Sequence, residues 1–156
     1  MITGIETSLQ NIYTYISSNV NNSIALINSK VTDGKTISPL ICNYNSFPDF
    51  QNQSILGFYG VDINLQNGMP SFPAIKYAYV IQIRTLGKQT SSNATTINTL
   101  LYRYADAMYN MYYTDSTLGG SADIATIDTI KFTFDSTTHI GYADFYGSAE
   151  IYPTIS

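Results

Sequence analysis

One cysteine, one histidine and a scatter of aspartates are the residues of this chain that could do chemistry, and their spacing argues against most of it. His139 is the only histidine, so a metal site would need carboxylates or Cys42 beside it, and no short-spaced set supplies them. Its position after Asp135-Ser136-Thr137-Thr138 predicts a residue at a hairpin turn. Cys42 sits in an apolar run, where a small buried hydrophobe is expected rather than half of a thiol pair with His139. No nucleophile-elbow motif is present to support Ser-His-Asp catalysis. Leu86-Gly87-Lys88-Gln89-Thr90 has the Gly-Lys-x-Thr look of a phosphate loop but lacks the upstream glycine and the required spacing. Asp123, Asp128, Asp135 and Asp144 fall near expected strand ends or turns, where aspartate satisfies local backbone donors. Arg103 and Asp106, three apart on a helix, are expected to form a solvated pair of little energetic weight. The expectation is no catalytic, cofactor-binding or metal site, and hence not an enzyme.

The elements that would position these residues read as one α+β domain over residues 1–156, with a mostly antiparallel sheet. Ile5, Leu9, Ile12, Ile16, Val20, Ile24 and Ile27 recur at gaps of three and four, an apolar helical stripe. Thr3 and Glu6 have the spacing of a capping box. Asn21-Asn22-Ser23 favours a turn, so a helical break near Asn21 is expected. Thr36 to Asn43 is β-rich, and Pro39 within it predicts an edge strand or bulge. Ile55 to Leu65 reads as a strand loosened by Gly57 and Gly60, inside a middle region, 44–72, that is otherwise hard to read. Ala74 to Leu86 is the clearest strand, with Ile75, Tyr77, Tyr79, Ile81 and Ile83 on one face and Lys76, Ala78, Val80, Gln82 and Arg84 on a wetter one. From about Asn93 a second amphipathic helix carries Ile97, Leu100, Leu101, Tyr104, Ala107, Met108 and Met111, a core stripe. It must end before Leu118-Gly119-Gly120, where glycine accepts a left-handed backbone. A hairpin then runs from Ile124 to Phe134 and from His139 to about Tyr152, with bulges or bends expected at Gly141 and Gly147.

Charged residues make up 12% of the chain, against roughly 25% in ordinary soluble domains. Ser, Thr, Asn, Gln and 14 Tyr take their place, and tyrosine suits contacts because it joins apolar area to a polar tip. The formal charge is −4 and the seven basic residues form no run, which disfavours a surface that displaces counterions from duplex DNA. A single cysteine excludes an internal disulfide. The first residues lack a basic stretch followed by an apolar run, so the expectation is folding in a reducing cytoplasm without a membrane span.

Tyr79-Val80-Ile81-Gln82-Ile83-Arg84, a helix with Tyr104-Ala105-Asp106-Ala107-Met108, then Thr117-Leu118-Gly119-Gly120 and a C-terminal hairpin together resemble the tail terminator (tail completion) proteins of long-tailed bacteriophages. The resemblance covers most of the chain loosely and residues 75–152 best. It implies a structural virion protein, assembled in the host cytoplasm and placed at the head-proximal end of the tail. Such proteins form a homo-oligomeric ring, typically a hexamer, on the last ring of tail tube protein. The ring stops tube growth, offers a face to the neck or head-completion protein, and lets DNA pass without specific binding. No cofactor is implied. Candidate interface positions are Phe58, Tyr59, Met69, Phe72, Lys88, Gln89, Thr90, Gly119 and Gly120. Another head-tail connector or a tail tube subunit shares this composition, and a small-molecule binding module with aromatic pocket walls is a further alternative.

Overall fold

In the computed structural model, which describes residues 4–46, 53–66, 74–86 and 94–152, two helices pack on one face of a five-stranded sheet. The elements are α1 (Ile5–Lys30), β1 (Ile41–Tyr44), β2 (Ile55–Gln66), β3 (Ala74–Leu86), α2 (Ala94–Thr114), β4 (Ile124–Asp135) and β5 (Ile140–Ile151). Strand order is β1-β2-β3-β5-β4, with β1 parallel to β2 and every other pair antiparallel. The α+β class and the mostly antiparallel sheet are as the sequence predicts.

The apolar periodicities meet in one core. Ile12, Ile16, Val20 and Ile24 of α1 are buried with Ile97, Leu101, Tyr104, Met108 and Met111 of α2. Beneath them lie Leu56 and Phe58 of β2, Tyr79, Ile81 and Ile83 of β3, and Ala143, Phe145 and Ala149 of β5. Small residues on β5 let the helices approach the sheet closely.

α1 does not break at Asn21. Asn21 turns its side chain inward, accepting from the Leu40 N–H at 2.8 Å and donating to the Leu40 carbonyl at 3.1 Å. Asn28 treats Ile37 the same way, at 2.8 Å for both bonds. Asn21, expected to favour a turn, and Asn28 instead satisfy the backbone of the segment leading into β1. That segment cannot pair in the sheet, and its buried polar groups need partners. At the start of the helix the cap is Gly4 without a side-chain bond; Thr3 lies outside the described residues. Residue 93, from about which α2 is expected to begin, lies outside them as well.

β2 shifts register between Gly60 and Asp62, so the glycine-loosened strand is found where expected. β5 departs from expectation. It pairs with β3 from Ile140 to Ile151 without a shift, and the irregularity sits opposite, in β4 between Ile127 and Thr129. Gly141 and Gly147 are there for room. A Cβ at Gly147 would lie 2.5 Å from Tyr79 Cε2, and one at Gly141 would lie 2.3 Å from Ile97 Cγ2.

The expected Arg103–Asp106 pair is not formed. Arg103 reaches across to Asp33 at 2.6 Å and donates to the Lys35 carbonyl, tying α2 to the turn after α1. Two acceptors on one turn, a carboxylate and a carbonyl, draw the guanidinium more strongly than one helical neighbour. The Arg103 hydrogen bond holds the Asp33 carboxyl at about 2. Asp123 and Asp135 do serve backbone N–H groups, of Tyr152 and Thr137 respectively. Asp144 lies mid-strand and accepts from Gln82 at 2.6 Å, because it faces a polar cross-strand neighbour.

Candidate interaction surface

The Leu-Gly-Gly turn is built by Asp115, which follows α2. Its carboxylate accepts from the Thr117 N–H at 2.9 Å, the Thr117 hydroxyl at 2.6 Å and the Gly119 N–H at 2.9 Å. The Thr117 hydroxyl bond, then the two amides, hold its carboxyl below the ordinary range. Leu118, Gly119 and Gly120 all take positive φ, at 48°, 68° and 84°. Leu118 plugs into the core while the two glycines stay outside. The turn leans on α1: Ser121 donates to the Asn11 carbonyl, and a Cβ on Gly119 would lie 2.7 Å from Tyr15 Cδ2. Between turn and helix lies a shallow groove of about 420 Å³ with Asn11, Thr14, Tyr15, Ser18 and Asn19 along its α1 side. Gly119 and Gly120, both expected at an interface, therefore border one accessible groove.

The two glycines are expected to differ on substitution. Gly119→Ala meets both a left-handed backbone and the Tyr15 ring, and should lose about 2–4 kcal/mol of unfolding free energy. Gly120→Ala meets only the backbone term, about 1–2 kcal/mol, since nothing lies within 4 Å. Urea unfolding of the two variants checks this; equal losses would mean Tyr15 moves aside freely.

The other expected contact residues separate. Phe58 is fully buried, packed on Tyr79 with ring centroids 5.2 Å apart, so it belongs to the core and not to an outward contact. The pleat of β2 sends it under the helices, and sequence alternation broken by Gly57 and Gly60 hid that side. Tyr59, the next residue, is half-buried on the opposite face. Met69, Phe72, Lys88, Gln89 and Thr90 lie outside the described residues.

That opposite face of the sheet is a polar lattice. Gln82 donates to Asp144, Arg84 Nε donates to Gln82 Oε1 at 2.7 Å, the Arg84 guanidinium sits 5.7 Å from the Tyr142 ring, and Lys131 sits 5.2 Å from the Tyr146 ring. Arg84 and Lys131 on this face are engaged with amide and aromatic partners rather than clustered as an anion-binding stripe.

Sequence reading passed over the outer face of α2. Tyr102, Tyr109 and Tyr113 are 52%, 63% and 80% exposed, and recur at helical spacing on the side away from the core. Tyr109 and Tyr113 stack with centroids 6.1 Å apart, and Tyr102 meets Phe132 of β4 edge-on at 5.0 Å. The signal was present, since Tyr102 and Tyr109 lie between the buried positions 101, 104, 108 and 111 of the same helix and Tyr113 follows four residues after Tyr109 on the same face.

The remaining candidates for chemistry are quiet. Burial pushes the half-buried Cys42 thiol up to about 11, which keeps it protonated and poorly nucleophilic. His139 is at the expected hairpin turn, with φ 57° and its ring 6.4 Å from that of Phe134. Among the described residues no cluster of three metal-ligating side chains occurs, and no helix is long and apolar enough to cross a membrane. The most enclosed polar pair is structural: the Tyr79 and Tyr112 hydroxyls meet at 2.5 Å between β3 and α2. Burial raises both phenols, and each supplies the other's partner in a site water does not reach. Tyr112→Phe should therefore cost about 1–3 kcal/mol by leaving the Tyr79 hydroxyl unpaired, while adding Tyr79→Phe should recover part of the loss. Thermal unfolding of the cycle reads the coupling, and strict additivity would contradict it.

No family model matches this chain, and no curated protein matches it either.

Proposed function

We propose that this protein is a structural component of virus assembly, a tail-terminator-like subunit. Copies of it form a ring, six by the resemblance, on the last ring of tail tube protein. The ring halts tube polymerisation and presents a docking face to the neck or head-completion protein, and DNA moves through it without being gripped. The site of action is the head-proximal end of the tail. The observation that carries this reading is the aromatic face of α2, three tyrosines left outside on an otherwise well-packed helix. Large exposed aromatic area beside a sheet edge suits burial against protein neighbours. The sequence resemblance supplies the identity of those neighbours. The low charge and self-paired cations of the outer sheet face are compatible with a polymer of negative charge sliding past.

Electron microscopy of the purified chain, alone and mixed with tube protein, tests the proposal. The expected result is rings alone and tubes of limited length with a ring at one end in the mixture. Long tubes made by this chain itself would assign it as a tube subunit instead. A monomer that never associates with tubes would overturn the reading.

A further inference from the structure

The sheet has two edges, and they are finished differently. β1 is four residues long. Ile41 N–H donates to the Ser54 carbonyl and Asn45 N–H to the Phe58 carbonyl, so alternate residues of β1 address β2. Cys42 and Tyr44 therefore point their backbone groups away from the sheet. One residue earlier, Asn21 already occupies both backbone groups of Leu40. β4 is twelve residues long. Its Ala125 N–H turns away from β5 and is taken by the Ser116 carbonyl at 2.7 Å. Following the ladder past the extra residue at Asp128, Ile130, Phe132 and Phe134 are the next to face outward. Nothing among the described residues bonds to their outward backbone groups. A long open edge is a template for another strand.

We propose that the open edge of β4 accepts β1 of a second copy, and that this heterologous pairing is the seam between ring subunits. The cyclic arrangement rests on the ring reading above; the pairing itself rests on the two edges. Three antiparallel steps across the sheet make β4 run opposite to β1, so copies related by rotation bring them together antiparallel. Outward residues must face outward residues, which permits Phe132 opposite Cys42 and Ile130 opposite Tyr44 of the next copy. That register places Lys131 opposite Asn43 and Thr133 opposite Ile41, which is 50% exposed in the single chain. A shift of two residues would instead set Asp135 against Ile41. The two outward residues of β1 offer up to four backbone hydrogen bonds, and the Asn21 clamp at Leu40 together with the bulge at Asp128 ends the ladder on either side. Both edges are then consumed, as head-to-tail contacts in a closed ring require.

Thiol cross-linking of the full chain tests this. In a Cys42→Ala background, Asn43→Cys with Lys131→Cys, and separately Ile41→Cys with Thr133→Cys, are treated with a short bismaleimide. β1 and β4 lie at opposite edges of one sheet, so any link between them joins two copies. The expected result for both pairs is a ladder of covalent oligomers ending at the ring size, absent when either cysteine is omitted. Dimers from Lys131→Cys alone would show a two-fold β4–β4 contact and overturn the proposal. So would the absence of links from both pairs in folded protein, judged by an unchanged unfolding transition. Rings or capped tubes seen without these cross-links would sink the seam while leaving the ring reading intact; cross-linked ladders without tube capping would do the reverse.

Discussion

Leu101→Ala is expected to lower the unfolding free energy by about 2–5 kcal/mol, toward the upper end of that range. Leu101 is fully buried on α2 and faces the β5 backbone at Gly141; a Cβ built on that glycine would lie 3.0 Å from Leu101 Cδ1. The lost side chain leaves a space floored by backbone, and a glycine has no atoms to lean into it. Collapse would require moving a 21-residue helix that Arg103 and Tyr104 hold to the segment before β1. Both the transfer of apolar area and the residual cavity therefore count against the variant. Tyr113→Ala, on the same helix but outside the core, is expected to change stability by less than about 1 kcal/mol. Urea denaturation at constant m-value measures both. A change near zero for Leu101→Ala would mean that the α2 stripe is not core.

Gly141→Ala is the second large effect. The added methyl would lie 2.3 Å from Ile97 Cγ2, a separation that no non-bonded pair of carbon atoms tolerates. Ile97 is completely buried and β-branched, with one favoured rotamer in a helix, so it cannot swing aside. Either α2 lifts from the sheet or β5 bends away from β3, and overpacking of this kind costs about 1–3 kcal/mol or more. The mechanism predicts its own rescue. Ile97→Ala alone should be destabilising, yet Gly141→Ala added to it should lose less than it does in the natural background, because the obstructing methyl is gone. A double variant whose loss equals the sum of the singles would show that the strain lies elsewhere.

Local patterns carried much of the fold into the sequence. The period-2 alternation of β3, the 3.6-residue stripe of α2 and the hairpin turn at Asp135 are each fixed within a dozen residues, and each is found where it was expected. The Leu118-Gly119-Gly120 reversal is legible for the same reason, since the positive φ values are a property of the turn itself. What could not be read concerns residues whose partners are distant in the chain. Asn21 carries a turn signal, and only the arrival of Leu40 beside it turns that signal into a clamp. Gly141 and Gly147 read as weak points of a strand until Ile97 and Tyr79 are seen pressing on them. Phe58 read as a contact residue, and its burial depends on which side of a glycine-broken strand faces the helices.

The candidate surface divides along the same line. That α2 has three tyrosines off its apolar stripe is written in its spacing, because helical geometry fixes which residues share a face. That the tyrosine face stands beside an open strand edge is not, because strand order is a choice among topologies with nearly equal local energies. Periodicity says that one side of a strand is covered and never by what; loop closure and the competition for backbone partners settle the neighbours. The amino-acid order thus determined the elements and their buried faces, while only the assembled sheet decided that β1 would end clamped by Asn21 and β4 would end open.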